Sequence, residues 1–127
     1  MNPEGMIIKR SVHTARETID LAETILKKKG AKIYARIDQQ AEAATGNIKL
    51  GKIEYLLFGN PAVGGQLMAV DSRIALDLPL KLIAWEDNAG ATWVAYNDAA
   101  YLEQRYSLKP QLAALADISS LIEAVTR

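Results

Sequence analysis

The chain has 127 residues, fifteen basic against fifteen acidic side chains, no cysteine and a single histidine. Such a length can bury roughly two thirds of its unfolded surface in one core without covalent staples, so one domain spanning residues 1–127 is expected. Without cysteine there is no disulfide, thiolate nucleophile, iron–sulfur cluster or cysteine zinc site; with His13 as the sole imidazole, histidine metal sites and histidine-assisted triads are nearly excluded within one chain. The charge balance removes the electrostatic footprint of a nucleic-acid binder or of a chain drawn to anionic membranes. No run approaches the ~18 apolar residues of a membrane helix and the first ten residues lack a signal-peptide core, so a cytoplasmic home is the default expectation.

Met6 to Arg10 reads as a first strand. Thr14-Ala15-Arg16-Glu17 has the Thr-x-x-Glu form of a capping box and announces a helix. Ile19, Ala22, Ile25 and Leu26 recur at helical spacing, Lys27 to Lys29 suit the negative end of the helix dipole, and Gly30 fits a left-handed position after the last turn. The three lysines therefore read as a solvated helix end rather than a phosphate patch. From Lys32 to Asp38 the residues alternate, which predicts a half-buried strand with Ile33, Ala35 and Ile37 on one face and Tyr34, Arg36 and Asp38 on the other. The polar row can line a pocket or an oligomer contact, or simply meet water as an antiparallel sheet often does. Gln39 to Thr45 reads as a short helix closed by Gly46.

Ile53 to Phe58 is the next strand, and its unbroken run Tyr55-Leu56-Leu57-Phe58 predicts burial on both faces. Gly59-Asn60-Pro61 ends it, with Asn60 suited to a helix N-cap and Pro61 to the first helical position. A helix to about Asp71 follows, interrupted in propensity by Gly64 and Gly65, each of which costs ~1 kcal/mol relative to alanine in a helix interior. Either that helix starts after them or something approaches closely there. Leu78-Pro79 leads into a strand from Leu80 to Trp85, and Asp87 to Gly90 turns the chain into a hairpin partner from Ala91 to Tyr96, with Trp93 opposite Trp85 or Ile83. Asn97 or Asp98 caps a short helix, and the apolar residues from Leu112 to Val125 predict one final helix after Pro110. The order predicts an α+β fold: an antiparallel sheet of about five strands with helices packed mainly on one face.

A strand feeding a glycine turn and a helix N-terminus aims free amides at one point, so Gly59 and Asn60 are candidates for holding an anion or a small ligand. Neither a nucleotide P-loop nor a dinucleotide fingerprint is present, and the serines sit in no nucleophile elbow. Asp38 and Asp77 are the carboxylates nearest to buried segments and so the candidates for acid/base work.

Several ordered stretches together resemble the domain of unknown function 302 family: IDQQAEAATG, LLFGNP, AVDSRIALDLPLKLIAWED, Gly90 and VAYND, from about Met6 to the final helix. The resemblance implies a compact α+β domain, homodimeric, with no assigned reaction, cofactor or catalytic residue. Family members commonly read Ile-Asp-His where this chain has Ile37-Asp38-Gln39, so no metal or proton-transfer role of that histidine carries over. Asp38, Phe58, Gly59, Asn60 and Asp77 match the family pattern and form the expected ligand-binding set, with no metal and no cofactor. The function expected is a cytoplasmic, non-catalytic, homodimeric domain for a small or anionic ligand, binding neither nucleic acid nor membrane. An enzyme with Asp38 as general base, and a structural or protein-interaction module, are the alternatives.

Overall fold

The computed structural model describes residues 2–127. A five-stranded antiparallel sheet carries the chain in the order β1-β5-β4-β3-β2. Its strands are β1 (Met6–Ser11), β2 (Lys32–Asp38), β3 (Ile53–Gly59), β4 (Leu80–Glu86) and β5 (Thr92–Asn97). The helices are α1 (Ala15–Lys28), α2 (Gln39–Thr45), α3 (Pro61–Val70), α4 (Ala99–Arg105), α5 (Pro110–Ala113) and α6 (Ser119–Thr126), with a 3-10 helix at Ser72–Asp77 and another at Ala114–Ala116. Strands β2 to β5 pair with their sequence neighbours, whereas β1 closes the far edge by pairing with β5.

The expected cap starts α1: the Thr14 hydroxyl accepts the Glu17 N–H at 3.1 Å and donates to the Glu17 carboxylate at 3.0 Å. Gly30 takes φ +79°, as the end of that helix requires. The apolar face of α1 lies across the middle of the sheet. Ile19 and Ala22 meet Leu56, Leu82 and Val94, and Ile122 and Val125 of α6 complete the same core; all seven side chains are fully buried. Burying a side chain of the size of leucine or isoleucine contributes about 1.5–3 kcal/mol, which makes this layer the main source of stability.

A smaller apolar cluster stands beyond one end of the sheet. Leu67 of α3, Ile74 of the first 3-10 helix, and Leu108 and Ala113 around α5 are buried there, with Leu78 and Tyr106 packed against them. It is built from the two segments that leave and re-enter the sheet at that end, β3 to β4 and β5 to α6.

Two expectations are corrected. The alternation in β2 is broken: Ile33 pairs with Phe58 but Ala35 pairs with Leu57, so Tyr34 is the extra residue of a β-bulge. Beyond the bulge the faces exchange, and Arg36 lies on the helix side, where it binds Asp20 of α1 at 2.6 Å and Glu54 at 2.5 Å. Burial works against its charge, but the two carboxylates outweigh that and hold the guanidinium above its ordinary value. The predicted final helix is also interrupted. The chain turns at Asp117, whose carboxylate accepts the Ser119 N–H at 2.9 Å and starts α6 afresh, so Leu112 faces the small cluster while Leu121, Ile122 and Val125 face the main core.

The segment before β1 is fixed by Gly5, which has φ +76° and whose carbonyl accepts the Asp98 N–H at 2.8 Å. A Cβ built there would stand 2.3 Å from Cγ of Tyr101. Gly5→Ala is therefore expected to cost about 2 kcal/mol or more, through overpacking and an unfavourable φ together. Urea unfolding read by tryptophan fluorescence measures it, and a change below about 0.5 kcal/mol would show that Tyr101 does not close over the turn.

Candidate functional site

Two neighbouring cavities lie at the seam between the main core and the small cluster, and both are bounded by Pro79 and Leu80. The Leu78-Pro79 peptide is cis.

The first cavity, about 230 Å³, is mostly apolar. Phe58, Gly59 and Asn60 form one wall, Leu78, Pro79 and Leu80 face them, and Tyr34, Gly64 and Met68 rim the opening. The bulge in β2 supplies Tyr34, which is 44% exposed and would touch a Cβ at Gly59 at 3.8 Å. Helix α3 runs through both glycines, so neither of the expected explanations for them holds. A Cβ at Gly65 would meet nothing within 4 Å; one at Gly64 would meet only Leu78 and Met68, each at 3.8 Å, an ordinary contact. Gly64 therefore keeps a piece of this cavity empty at a cost in helix propensity that no crowding requires.

The anion site expected at the start of α3 is largely spent internally. Pro61 has no N–H, the Ala62 N–H is taken by the Asn60 side-chain oxygen at 2.9 Å, and the Gly64 N–H bonds the Asn60 carbonyl at 2.8 Å. That leaves Val63 as the one residue of this turn with an amide to spare, among the described hydrogen bonds. Asn60 serves as a cap whose remaining side-chain NH₂ is free to donate.

The second cavity, about 180 Å³, lies on the other side of Pro79 and is more polar. Asp77, Lys81 and Asn97 line it together with Leu76, Leu80, Ala116 and Ile118. Asp77 is held from behind by the Tyr106 hydroxyl, which donates to its Oδ2, and by the Arg105 guanidinium at 3.3 Å from the same oxygen. The hydrogen bond given to Asp77 keeps the Tyr106 phenol protonated above its ordinary value, with desolvation adding to the effect.

The five residues picked out by sequence do not converge on one point. Phe58, Gly59 and Asn60 share the first cavity and Asp77 borders the second. Asp38 belongs to neither. It pairs with Glu54 at the other end of β3, six residues from Asn60, roughly 20 Å along a strand, and its carboxylate caps α2 by accepting the Ala41 N–H at 3.0 Å. Gln39, which replaces the histidine common in the resembled family, donates to the Tyr55 hydroxyl at 3.1 Å. Of the polar row that sequence offered as a pocket lining, Tyr34 alone borders this cavity, because the bulge separates it from Arg36 and Asp38. Sequence reading missed Tyr106 and Arg105, which reach Asp77 across more than 25 residues of chain. Among the described residues no cluster of His, Asp or Glu is arranged to hold a metal, and no helix is long and apolar enough to cross a membrane.

A family model described as a domain of unknown function, DUF302, matches residues 7–125. Among curated proteins, the fluoride-specific ion channel FluC 1 of Brucella suis biovar 1 (strain 1330) is 38% identical over 104 residues, which are 82% of this chain and 41% of that protein. The FluC 1 protein of Brucella abortus biovar 1 (strain 9-941) matches with the same identity over 38% of its length. The chain thus spans about two fifths of the length of these curated relatives. A crystal structure of an uncharacterized conserved DUF302 protein from Bacillus stearothermophilus has a TM-score of 0.78, 19% identity, and coverage of 98% of this chain and 97% of that one, which establishes a shared fold.

The link between Asp77 and Tyr106 is open to direct test. Because the folded phenol is raised above the unfolded value of 10.0, its contribution to stability is present below that pH and is lost as pH rises through the folded value. Alkaline titration by tyrosinate absorbance, with Tyr106→Phe to assign the transition, is expected to show Tyr106 ionising late and Asp77→Asn bringing it back towards the ordinary phenol range. A Tyr106 transition unmoved by Asp77→Asn would mean that the hydrogen bond does not control the phenol.

Proposed function

The chain belongs to the DUF302 family, and we propose that it is a non-catalytic domain that binds a small, neutral, mostly apolar ligand in the cavity between Phe58 and Leu78. The observation that carries this reading is Gly64: an interior helix position left without a side chain, facing the cavity, with room for a methyl group. Apolar walls supply the binding energy and a few polar groups fix orientation. Here the polar groups are the Tyr34 hydroxyl and the free NH₂ of Asn60 at the rim. A neutral ligand is favoured over an anion because the first turn of α3 has already used most of its amides.

Catalysis by Asp38 gains no support, since its carboxylate is occupied as a helix cap and no cavity described above reaches it. A homodimer in the cytoplasm remains part of the proposal. The sheet face opposite α1 carries Ile53, Tyr55, Leu57, Ile83 and Trp85, all half-buried, and this is the surface that a second copy would cover. The channel-named relatives favour a modular role as well: a stretch with no membrane-crossing helix recurs within proteins more than twice its length, as an appended binding domain would.

Indole is a suitable first probe, being compact, apolar and able to donate one hydrogen bond. Gly64→Ala is expected to raise stability by up to about 1 kcal/mol, through helix propensity, while weakening indole binding several-fold by filling part of the cavity. Thermal unfolding and NMR titration measure the two effects. Unchanged indole affinity in Gly64→Ala, or no binding to the wild-type chain, would overturn the reading. Sedimentation velocity addresses the dimer separately, and a monomer at micromolar concentration would remove that part of the proposal.

A further inference from the structure

The second cavity holds polar groups that the fold does not use. Both contacts to Asp77 fall on Oδ2, so Oδ1 has no protein partner among the described bonds, although the side chain is only 12% exposed. Among the described residues no fully buried side-chain nitrogen or oxygen lacks a hydrogen bond, so Oδ1 keeps some exposure, and Asp77 lines this cavity. Asn97 ends β5 and lines the cavity, and its side chain makes no hydrogen bond among the described residues. Among the described residues the Lys81 ammonium has no carboxylate partner within ion-pair distance, and it rests 4.7 Å from the centre of the Tyr55 ring, a weak and reversible hold at an exposed site. An acceptor and an amide thus border one hollow, and the Lys81 side chain lines it as well, with an ammonium that swings in by leaving the Tyr55 ring.

Charge decides what they fit. Arg105 neutralises Asp77 from behind, which leaves Lys81 as the uncompensated charge, so the cavity favours a single negative charge. Asp77 Oδ1, an acceptor already balanced by Arg105, fits a neutral donor better than an ammonium, which would restore a net positive site. Leu80, Ala116 and Ile118 offer an apolar wall. A narrower hollow of about 110 Å³ over Met6, Ile83 and Ala95 shares Lys81 and Asn97 with this cavity and extends it along the open face of the sheet.

We propose that this cavity is a second binding site, separate from the one beyond Pro79, for a short aliphatic hydroxy acid. Its carboxylate meets Lys81 and the Asn97 amide, its hydroxyl donates to Asp77 Oδ1, and its hydrocarbon part lies against Leu80 and Ile118.

The probe is 2-hydroxyisocaproate, titrated into the full chain and followed by amide chemical shifts. Three comparison compounds separate the contacts: isocaproate lacks the hydroxyl, 4-methylpentan-1-ol lacks the carboxylate, and leucine replaces the hydroxyl with an ammonium. The expected result is saturable binding with a dissociation constant near 1 mM or tighter, as suits so few heavy atoms, and shifts centred on Lys81, Asn97 and Ile118. Lys81→Gln and Asn97→Ala change exposed side chains that make no hydrogen bond among the described residues, so both are expected to keep the fold intact. Lys81→Gln is expected to weaken binding about tenfold, and the compounds lacking hydroxyl or carboxylate, as well as leucine, should each bind several-fold more weakly. Asp77→Asn would also alter the Tyr106 and Arg105 contacts, so the isocaproate comparison tests the Asp77 contact without changing the protein. Equal affinity for isocaproate and 2-hydroxyisocaproate, no effect of Lys81→Gln, shifts centred on Gly59 to Gly64, or no saturation by about 10 mM would each overturn the proposal.

Discussion

The rest of the structure depends on α1 lying across the centre of the sheet. Ile19 and Ala22 are fully buried against Leu56, Leu82 and Val94, and this contact dictates which face of every strand is interior. It also dictates where the remaining chain can go. With α1 and α6 filling the covered face, the segments joining β3 to β4 and following β5 are pushed past the end of the sheet, where they make a cluster of their own. Two cores built on one sheet leave a seam between them, and both cavities open along that seam. Their position is thus a packing consequence of one helix, not a feature of any single loop.

Pro79 divides the seam. On one side the wall is Phe58, Gly59 and Asn60, whose polar groups are mostly consumed in starting α3. On the other, Asp77 is braced by Tyr106 and Arg105 while one oxygen stays free. Neighbouring hollows that share two residues consequently differ in chemistry: the first is apolar with a hydrogen-bonding rim, the second is polar with an apolar wall. The difference follows from how completely each turn satisfies its own hydrogen bonds, since a group already bonded within the protein offers little to a ligand.

Local chemistry was legible in the sequence, and long-range register was not. The Thr14 cap, the left-handed Gly30, the Asn60-Pro61 helix start and the hairpin from Leu80 to Tyr96 each rest on a few adjacent residues and appear as read, and the structure chooses Trp85 over Ile83 as the partner of Trp93. The α+β sheet with helices chiefly on one face followed from their order. The bulge at Tyr34 was illegible because alternation alone does not reveal where β3 opposes two residues with one, and its result was to send Arg36 to α1 instead of to a pocket. The break at Asp117 had a local signal, an aspartate two residues before a serine, which the apolar spacing on either side concealed. Asp38 and Asn60 were joined by family pattern rather than by distance, and antiparallel pairing put them at opposite ends of β3.

Whether Pro79 separates two sites that work independently is measured most directly by a pair of NMR titrations on one sample. Indole would be added first to saturation and 2-hydroxyisocaproate second, then the order reversed. Two disjoint sets of shifted amides are expected, around Gly59 to Gly64 for indole and around Lys81 and Asn97 for the hydroxy acid, with each affinity unchanged by the other ligand. Competition for one set of residues, or the absence of any saturable shift along the seam, would contradict two independent sites.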